Sequence, residues 1–373
     1  MNLIEIELDY FPDSIIEVIV NSTKDSFVNI EELKNSNYII KIKDLFYGPF
    51  SWNENFTKDK VFNKKNSDNL LFLKVDLFNE ILVQTYSNFK NDIIKTEEKK
   101  LSKSKYLYIL NSLYHFNQNL LSLNLEEIER FQTIFSENLI NLIDLEFLIS
   151  LKKDFIIFDL SENLQSLPFQ FFSYELAKNG TLPLFLVNNS KNSSNFINSF
   201  DLSFILSFKE DLINSNDLIF LKENGFEFNK TLWDKNNLNK IIFSDKDQFL
   251  SGINIGKIPI ILAHGYRKKD FSSIKIGKNF FNPFYLNHSE KIPRIIFLLC
   301  CMINYSKSEN NLIHHFFERG SKLILSSPFI LPIEFVEDIF ETIMKKEYNN
   351  LYELLIKLLS ISKLISTLLK IFI

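Results

Sequence analysis

Residues 258–266 read IPIILAHGY, and residues 293–302 read PRIIFLLCCM. Each contains an unbroken apolar run that leads into a residue with a reactive side chain, His264 followed by Gly265 in the first and Cys300-Cys301 in the second. Apolar runs without polar alternation suit strands buried on both faces. The pattern recurs at Phe155–Phe158, Leu182–Val187, Phe204–Phe208, Leu218–Leu221, Ile241–Phe243 and Leu323–Leu325. Helical stretches intervene, notably Asn311–Arg319 and Ile333–Lys345. A mostly parallel sheet covered by helices needs this alternation, so the expected fold class from Asp154 onward is an α/β sandwich.

Open α/β sheets collect their ligands at the carboxyl ends of the strands. A histidine and a cysteine leaving adjacent strands at that edge can approach one another. The chemistry favours such a pair, because a thiol of ordinary pKa, about 8.5, is mostly protonated at neutral pH and an imidazole can stabilise its thiolate. Gly265 lets the backbone come close to a substrate carbonyl, so its N–H could serve as an oxyanion donor. A lone cysteine closing an apolar strand is more often a small buried hydrophobe. The His-Gly and Cys-Cys ends on successive strands together make His264 and Cys301 candidate catalytic residues. Cys300 should face the other way from its neighbour and belong to the core.

Upstream, residues 1–94 read as a small α+β unit. Leu3–Leu8, Ile15–Val20, Tyr38–Ile42 and Leu70–Val75 are strand candidates, and Phe78–Phe89 has helical spacing. KTEEKKLSKSK at Lys95–Lys105 reads as an exposed linker, which places a boundary near 104. The expected division is an N-terminal accessory or regulatory unit, 1–104, and a larger domain, 105–373. In the latter, Asn124 and Glu127 form a plausible capping box for a helix carrying Leu125, Ile128, Phe131, Ile134 and Phe135 on one face, and Leu139–Ile149 suggests a second, buried helix.

Composition removes several function classes. The chain has 373 residues, 42 basic and 46 acidic side chains and a formal charge of −4, with no basic stripe, which argues against nucleic acid as a partner. Its two cysteines are adjacent, so no disulfide framework is expected and a reducing, cytoplasmic setting fits. No CxxC pair suggests a zinc site, and the adjacent His314 and His315 fall in a helical stretch where neighbours face different ways, with His115 and His288 left over, so no metal and no cofactor are expected. No apolar run reaches the roughly 18–20 residues that span a bilayer. Near the C-terminus Leu354, Leu358, Ile361, Ile365, Leu368 and Phe372 share one helical face and Lys357, Lys363 and Lys370 another, which reads as a helix packed on a sheet rather than on a membrane.

Residues from about 150 to 360 resemble the CHAT family, caspase-like cysteine proteases related to separases and caspases. FIIFDLSENLQSLPFQFF resembles the family's strand, turn and Leu-Pro-aromatic-acidic motif, with Leu167, Pro168 and Phe169 in place and Gln170 at the acidic position. His264-Gly265 matches the family's His-Gly. Leu298-Leu299-Cys300-Cys301 stands where the family has Leu-Ser-Ala-Cys. FFERGSKLILSSPF matches the following helix, turn and strand, with Gly320 at the turn and Pro328-Phe329 for the family's Leu-Trp. The tetratricopeptide repeats common in this family are missing.

The resemblance implies a caspase-like α/β/α sandwich. It also implies a cysteine endopeptidase in which His264 is the general acid/base, Cys301 the nucleophile, and the N–H groups of Gly265 and Cys301 the oxyanion hole. It implies a protein substrate, such as a co-encoded pore-forming or effector protein in a bacterial defence or cell-death system. Asp159, Met302 and Asn304 are candidates for the substrate pocket, although an ordinary strand-end turn residue is the favoured reading of Asp159. A catalytically inactive scaffold or sensor of the same fold is the alternative.

Overall fold

The structure, a computed structural model, describes residues 3–8, 37–42, 45–51, 69–88, 93–122, 124–187, 202–234, 239–268, 271–281, 292–301 and 312–373. The chain forms two compact units, Met1–Asp68 with Asn188–Leu206, and Asn69–Val187 with Ser207–Ile373. In the first, β1 (Leu3–Leu8) runs parallel to β2 (Asn37–Ile42), which pairs antiparallel with β3 (Leu45–Ser51). The expected strand at Ile15–Val20 lies outside the described residues.

The second unit is built on an 11-stranded, mostly parallel mixed sheet with helices against it. Its strands in chain order are β4 (Leu70–Phe78), β5 (Ile81–Ser87), β6 (Ile93–Lys100), β7 (Phe155–Leu160), β8 (Leu182–Phe185), β9 (Leu218–Glu223), β10 (Asn239–Phe243) and β11 (Ile258–Ala263). After the separate three-stranded meander β12 (Gly265–Lys268), β13 (Phe271–Ile276) and β14 (Asn279–Phe281) come β15 (Ile295–Cys300), β16 (Leu323–Ser326) and β17 (Lys370–Phe372). The order across the large sheet is β10-β9-β11-β15-β16-β17-β8-β7-β4-β5-β6.

Strands β10, β9, β11, β15 and β16 are mutually parallel. Direction reverses at β17, which pairs antiparallel with β16 and parallel with β8; β7 and β4 continue in β8's direction. The carboxyl ends of the two blocks therefore lie on opposite edges of the sheet. Residues of β11 are 0–3% exposed, apart from Pro259, which is also buried, as expected for a strand covered on both faces. The helix Ile333–Lys345 buries Val336, Ile339, Phe340 and Ile343, a spacing of three and four, and sets Phe340 4.8 Å from Phe220 of β9.

Several sequence expectations are corrected. Phe78–Phe89 is not a helix: Asn79 and Glu80 have φ of 48° and 65°, a pair of positive values that turns β4 tightly into β5. The charged run at Lys95–Lys105 is largely β6, the edge strand of the sheet. Lys95 there meets Glu97 at 2.5 Å and Asp144 at 3.1 Å, and charges on an edge strand discourage pairing with another chain. The boundary expected near 104 thus falls instead at Asn69, because β4–β6 complete the large sheet.

Phe204–Phe208 lies in a helix, Leu202–Glu210, rather than a strand. The helix expected at Leu139–Ile149 is divided, one helix ending at Ile140 and the next, Leu145–Ser150, starting where Asp144 accepts from the Phe147 N–H. The amphipathic C-terminus is two helices, Leu351–Ser360 and Lys363–Leu368, followed by β17. Ser362 caps the second helix by accepting from the Ile365 N–H, and Lys370 does not share a solvated face but is buried. No helix among the described residues is long and apolar enough to cross a membrane.

Candidate active site

The register of β11 against β15 pairs Ala263 with Cys300. The next residues, His264 and Cys301, stand beside one another at the carboxyl edge of two parallel strands, which run about 5 Å apart. Gly265 is a close-packing requirement at this point. A Cβ built on it would lie 1.8 Å from the Cys301 carbonyl oxygen and 3.0 Å from the Cys301 nitrogen. The chain leaving β11 therefore runs against the main chain of Cys301, which only glycine permits.

The imidazole is oriented from the other side by a residue that the sequence reading passed over. Glu223 closes β9, the neighbour of β11, and is fully buried. Its Oε2 accepts from the His264 backbone N–H at 3.2 Å and lies 2.7 Å from Nδ1. An N–H at Nδ1 donates to this carboxylate and leaves Nε2 as the proton-accepting nitrogen. Phe226 packs edge-on to the ring at 5.1 Å, while the imidazole remains half exposed. The signal in the sequence was a single one, an acidic residue ending the buried run that begins LIFL, and acidic strand ends are common enough to hide it.

Lys275 completes the cluster from the β12–β14 meander. Its Nζ lies 3.2 Å from Glu223 Oε1, and its backbone N–H donates to the His264 carbonyl at 2.8 Å. That bond makes His264 and Lys275 a hydrogen-bonded pair. By the alternation of an antiparallel ladder the next pair, Gly265 with Ile274, is not one, so the Gly265 N–H points away from β13. Ser272 Oγ accepts from the Leu312 N–H at 3.1 Å and ties the meander to the helix Leu312–Glu318.

Cys301 is partly buried, and its thiol is engaged elsewhere than with His264. Sγ lies 3.6 Å from the Leu331 carbonyl and accepts from the Leu331 N–H at 3.4 Å. Burial pushes the thiol's pKa up, and the hydrogen bond with Leu331 pulls partly against that rise. No hydrogen bond joins Cys301 to His264. Cys300 is 1% exposed, with Sγ 3.8 Å from the Ile261 carbonyl, and burial raises its pKa far above the ordinary thiol value. It is core, as expected from its place one residue earlier in the strand.

Asp159 is not brought to this site. It lies on β7, four strands away across β16, β17 and β8, roughly 19 Å at the usual strand spacing. It also sits near the carboxyl end of a strand in the reversed block, and so at the opposite edge of the sheet. Met302 and Asn304, with Tyr305 and His288, lie outside the described residues. Among the described residues no cluster of His, Cys, Asp and Glu is arranged to hold a metal ion. His314 Nε2 and His315 Nδ1 lie 3.1 and 3.3 Å from the Glu318 carboxylate, ordinary contacts within one helix.

Comparison with protein-family models finds no match, and neither does comparison with curated proteins.

Proposed function

We propose that the chain is a caspase-like cysteine endopeptidase in which Cys301 is the nucleophile, His264 the general acid/base and Glu223 a positioning residue for the imidazole. One observation carries this reading: His264 and Cys301 follow a register-matched pair on neighbouring parallel strands, with a buried carboxylate on the histidine's Nδ1. In the reaction, Nε2 of His264 takes the Cys301 proton as Sγ attacks the scissile carbonyl carbon. The N–H groups of Gly265 and Cys301 receive the oxyanion, His264 returns its proton to the leaving amine, and water then hydrolyses the thioester. The substrate is a partner protein, and the resemblance to the CHAT family suggests a co-encoded effector or pore-forming protein.

The bonds between Cys301 and Leu331 describe a resting thiol, which must leave the Leu331 backbone before it reacts. The same bonds favour a second reading, an inactive scaffold in which Cys301 is a structural thiol. A peptide-based electrophile directed at cysteine proteases separates the two. A protease is labelled at Cys301, located by mass spectrometry, and labelling is lost in His264→Ala. Equal labelling of wild type and His264→Ala, with no cleavage of any candidate partner, would leave the scaffold.

A further inference from the structure

Away from Cys301, a pocket of about 200 Å³ opens beside the helix Lys103–Ser122, with Leu113, Leu167 and Phe329 among its apolar walls and Asn117, Gln170 and Lys370 among its polar ones. Two of these polar side chains are buried: Gln170, whose Oε1 has no hydrogen-bond partner, and Lys370, which has aromatic rings rather than a carboxylate beside it. Lys370, at the start of β17 in the middle of the sheet, is 4% exposed and lies over the rings of Phe185 and Phe372, 4.7 and 5.3 Å from their centres. No acidic side chain among the described residues forms an ion pair with it, and burial alone lowers its pKa to about 7. Gln170 is 2% exposed, and its Oε1 has no hydrogen-bond partner. Asn117 spends its carbonyl on the Ile330 N–H at 2.8 Å and keeps its amide N–H groups for another acceptor.

Keeping the buried Lys370 amine charged without an anion, and leaving the Gln170 acceptor without a donor, each costs stability, and one ligand can satisfy both. The anion must be small enough to enter a pocket of about 200 Å³. It must also carry carbon, because a bare inorganic oxyanion would leave the leucine and phenylalanine walls against water. We propose that this pocket binds a small organic hydroxy acid, its carboxylate on Lys370 and its hydroxyl donating to Gln170. The site is independent of the protease reading and shares no residue with the Cys301 cluster.

The test is a thermal-unfolding titration of the full chain with lactate and 2-hydroxybutyrate, against lactamide and inorganic phosphate, each up to about 10 mM. The hydroxy acids should raise the melting temperature saturably and lactamide should not. Lys370→Met should abolish the shift, and Gln170→Leu should weaken binding at least tenfold. An undiminished shift in Lys370→Met, a shift with phosphate but not with the hydroxy acids, or no shift with either acid overturns the proposal. Should Lys370→Met fail to fold, Gln170→Leu carries the comparison, and an unchanged affinity in it is equally decisive against the site.

Discussion

Neighbouring cysteines make a sharp comparison at the scale of single residues. Cys301→Ala should remove detectable proteolysis while lowering stability by no more than about 1 kcal/mol, since it gives up one small side chain on a residue that is only partly buried. Cys300→Ala should keep most activity while costing about 1 kcal/mol of stability for the small cavity it leaves. Equal loss of cleavage in both would mean that the nucleophile has been assigned to the wrong neighbour. Glu223→Gln keeps the shape of the side chain but removes the charge opposite His264 and Lys275. We expect kcat to fall by roughly 10- to 100-fold with little change in KM. Glu223→Asp should recover part of it; a parallel loss of folding in both variants would point to a purely structural carboxylate.

Lys370 also leaves a signature in the pH dependence of stability. Its folded pKa, about 7, lies below the ordinary 10.5 that the unfolded chain retains, so the unfolded chain binds more protons between those values. Stability from this group therefore rises as pH increases from about 7 towards 10.5, by an amount on the order of 5 kcal/mol. Denaturant titrations of wild type and Lys370→Met should diverge across that window, with the variant flatter. Parallel curves would show that Lys370 titrates normally.

At the scale of elements, the strands of the parallel block were legible because burial on both faces writes itself as unbroken apolar runs. IPIILA and IIFLLC announce β11 and β15 directly. The hairpin β4–β5 was not legible, since Asn79-Glu80 carries no glycine and Phe78–Phe89 satisfies a helical spacing equally well. β6 was hidden by its charges, which suit an edge strand as much as a linker. The candidate site was half legible: His264 and Cys301 close their runs, whereas Glu223 is defined by the lateral order of β9 and β11, which no local pattern encodes. That lateral packing makes Gly265 a test of the element pair. Gly265→Ala must push the β11 exit away from Cys301 O, so it should abolish cleavage and lower stability by roughly 1–3 kcal/mol. An active, unshifted Gly265→Ala would show that the two strand ends are further apart than described.

For the whole molecule, the decisive feature is the reversal at β17, which joins two parallel blocks through a three-residue strand from the C-terminus. The family resemblance made the strand-end residue Asp159 a candidate for the pocket around Cys301; the reversal separates the two. The same sheet decides where the chain can be cut. Residues 105–373 lack β4, β5 and β6, leaving β7 as an unpaired edge whose Phe155, Ile156, Ile157 and Phe158 are fully buried in the intact protein. Such an apolar edge pairs readily with other chains. Residues 69–373 retain every strand of the large sheet. We expect the 69–373 protein to be monodisperse by size-exclusion chromatography with a cooperative thermal transition, and the 105–373 protein to aggregate or melt without cooperativity. If the 105–373 protein is monodisperse and melts like the 69–373 one, β4–β6 are an appendage rather than part of the fold. If the proposed protease activity is found, comparing cleavage by the 69–373 protein with that of the full chain asks whether Met1–Asp68 regulates it or recruits a partner, and equal rates on substrate alone and on a partner complex would exclude both roles.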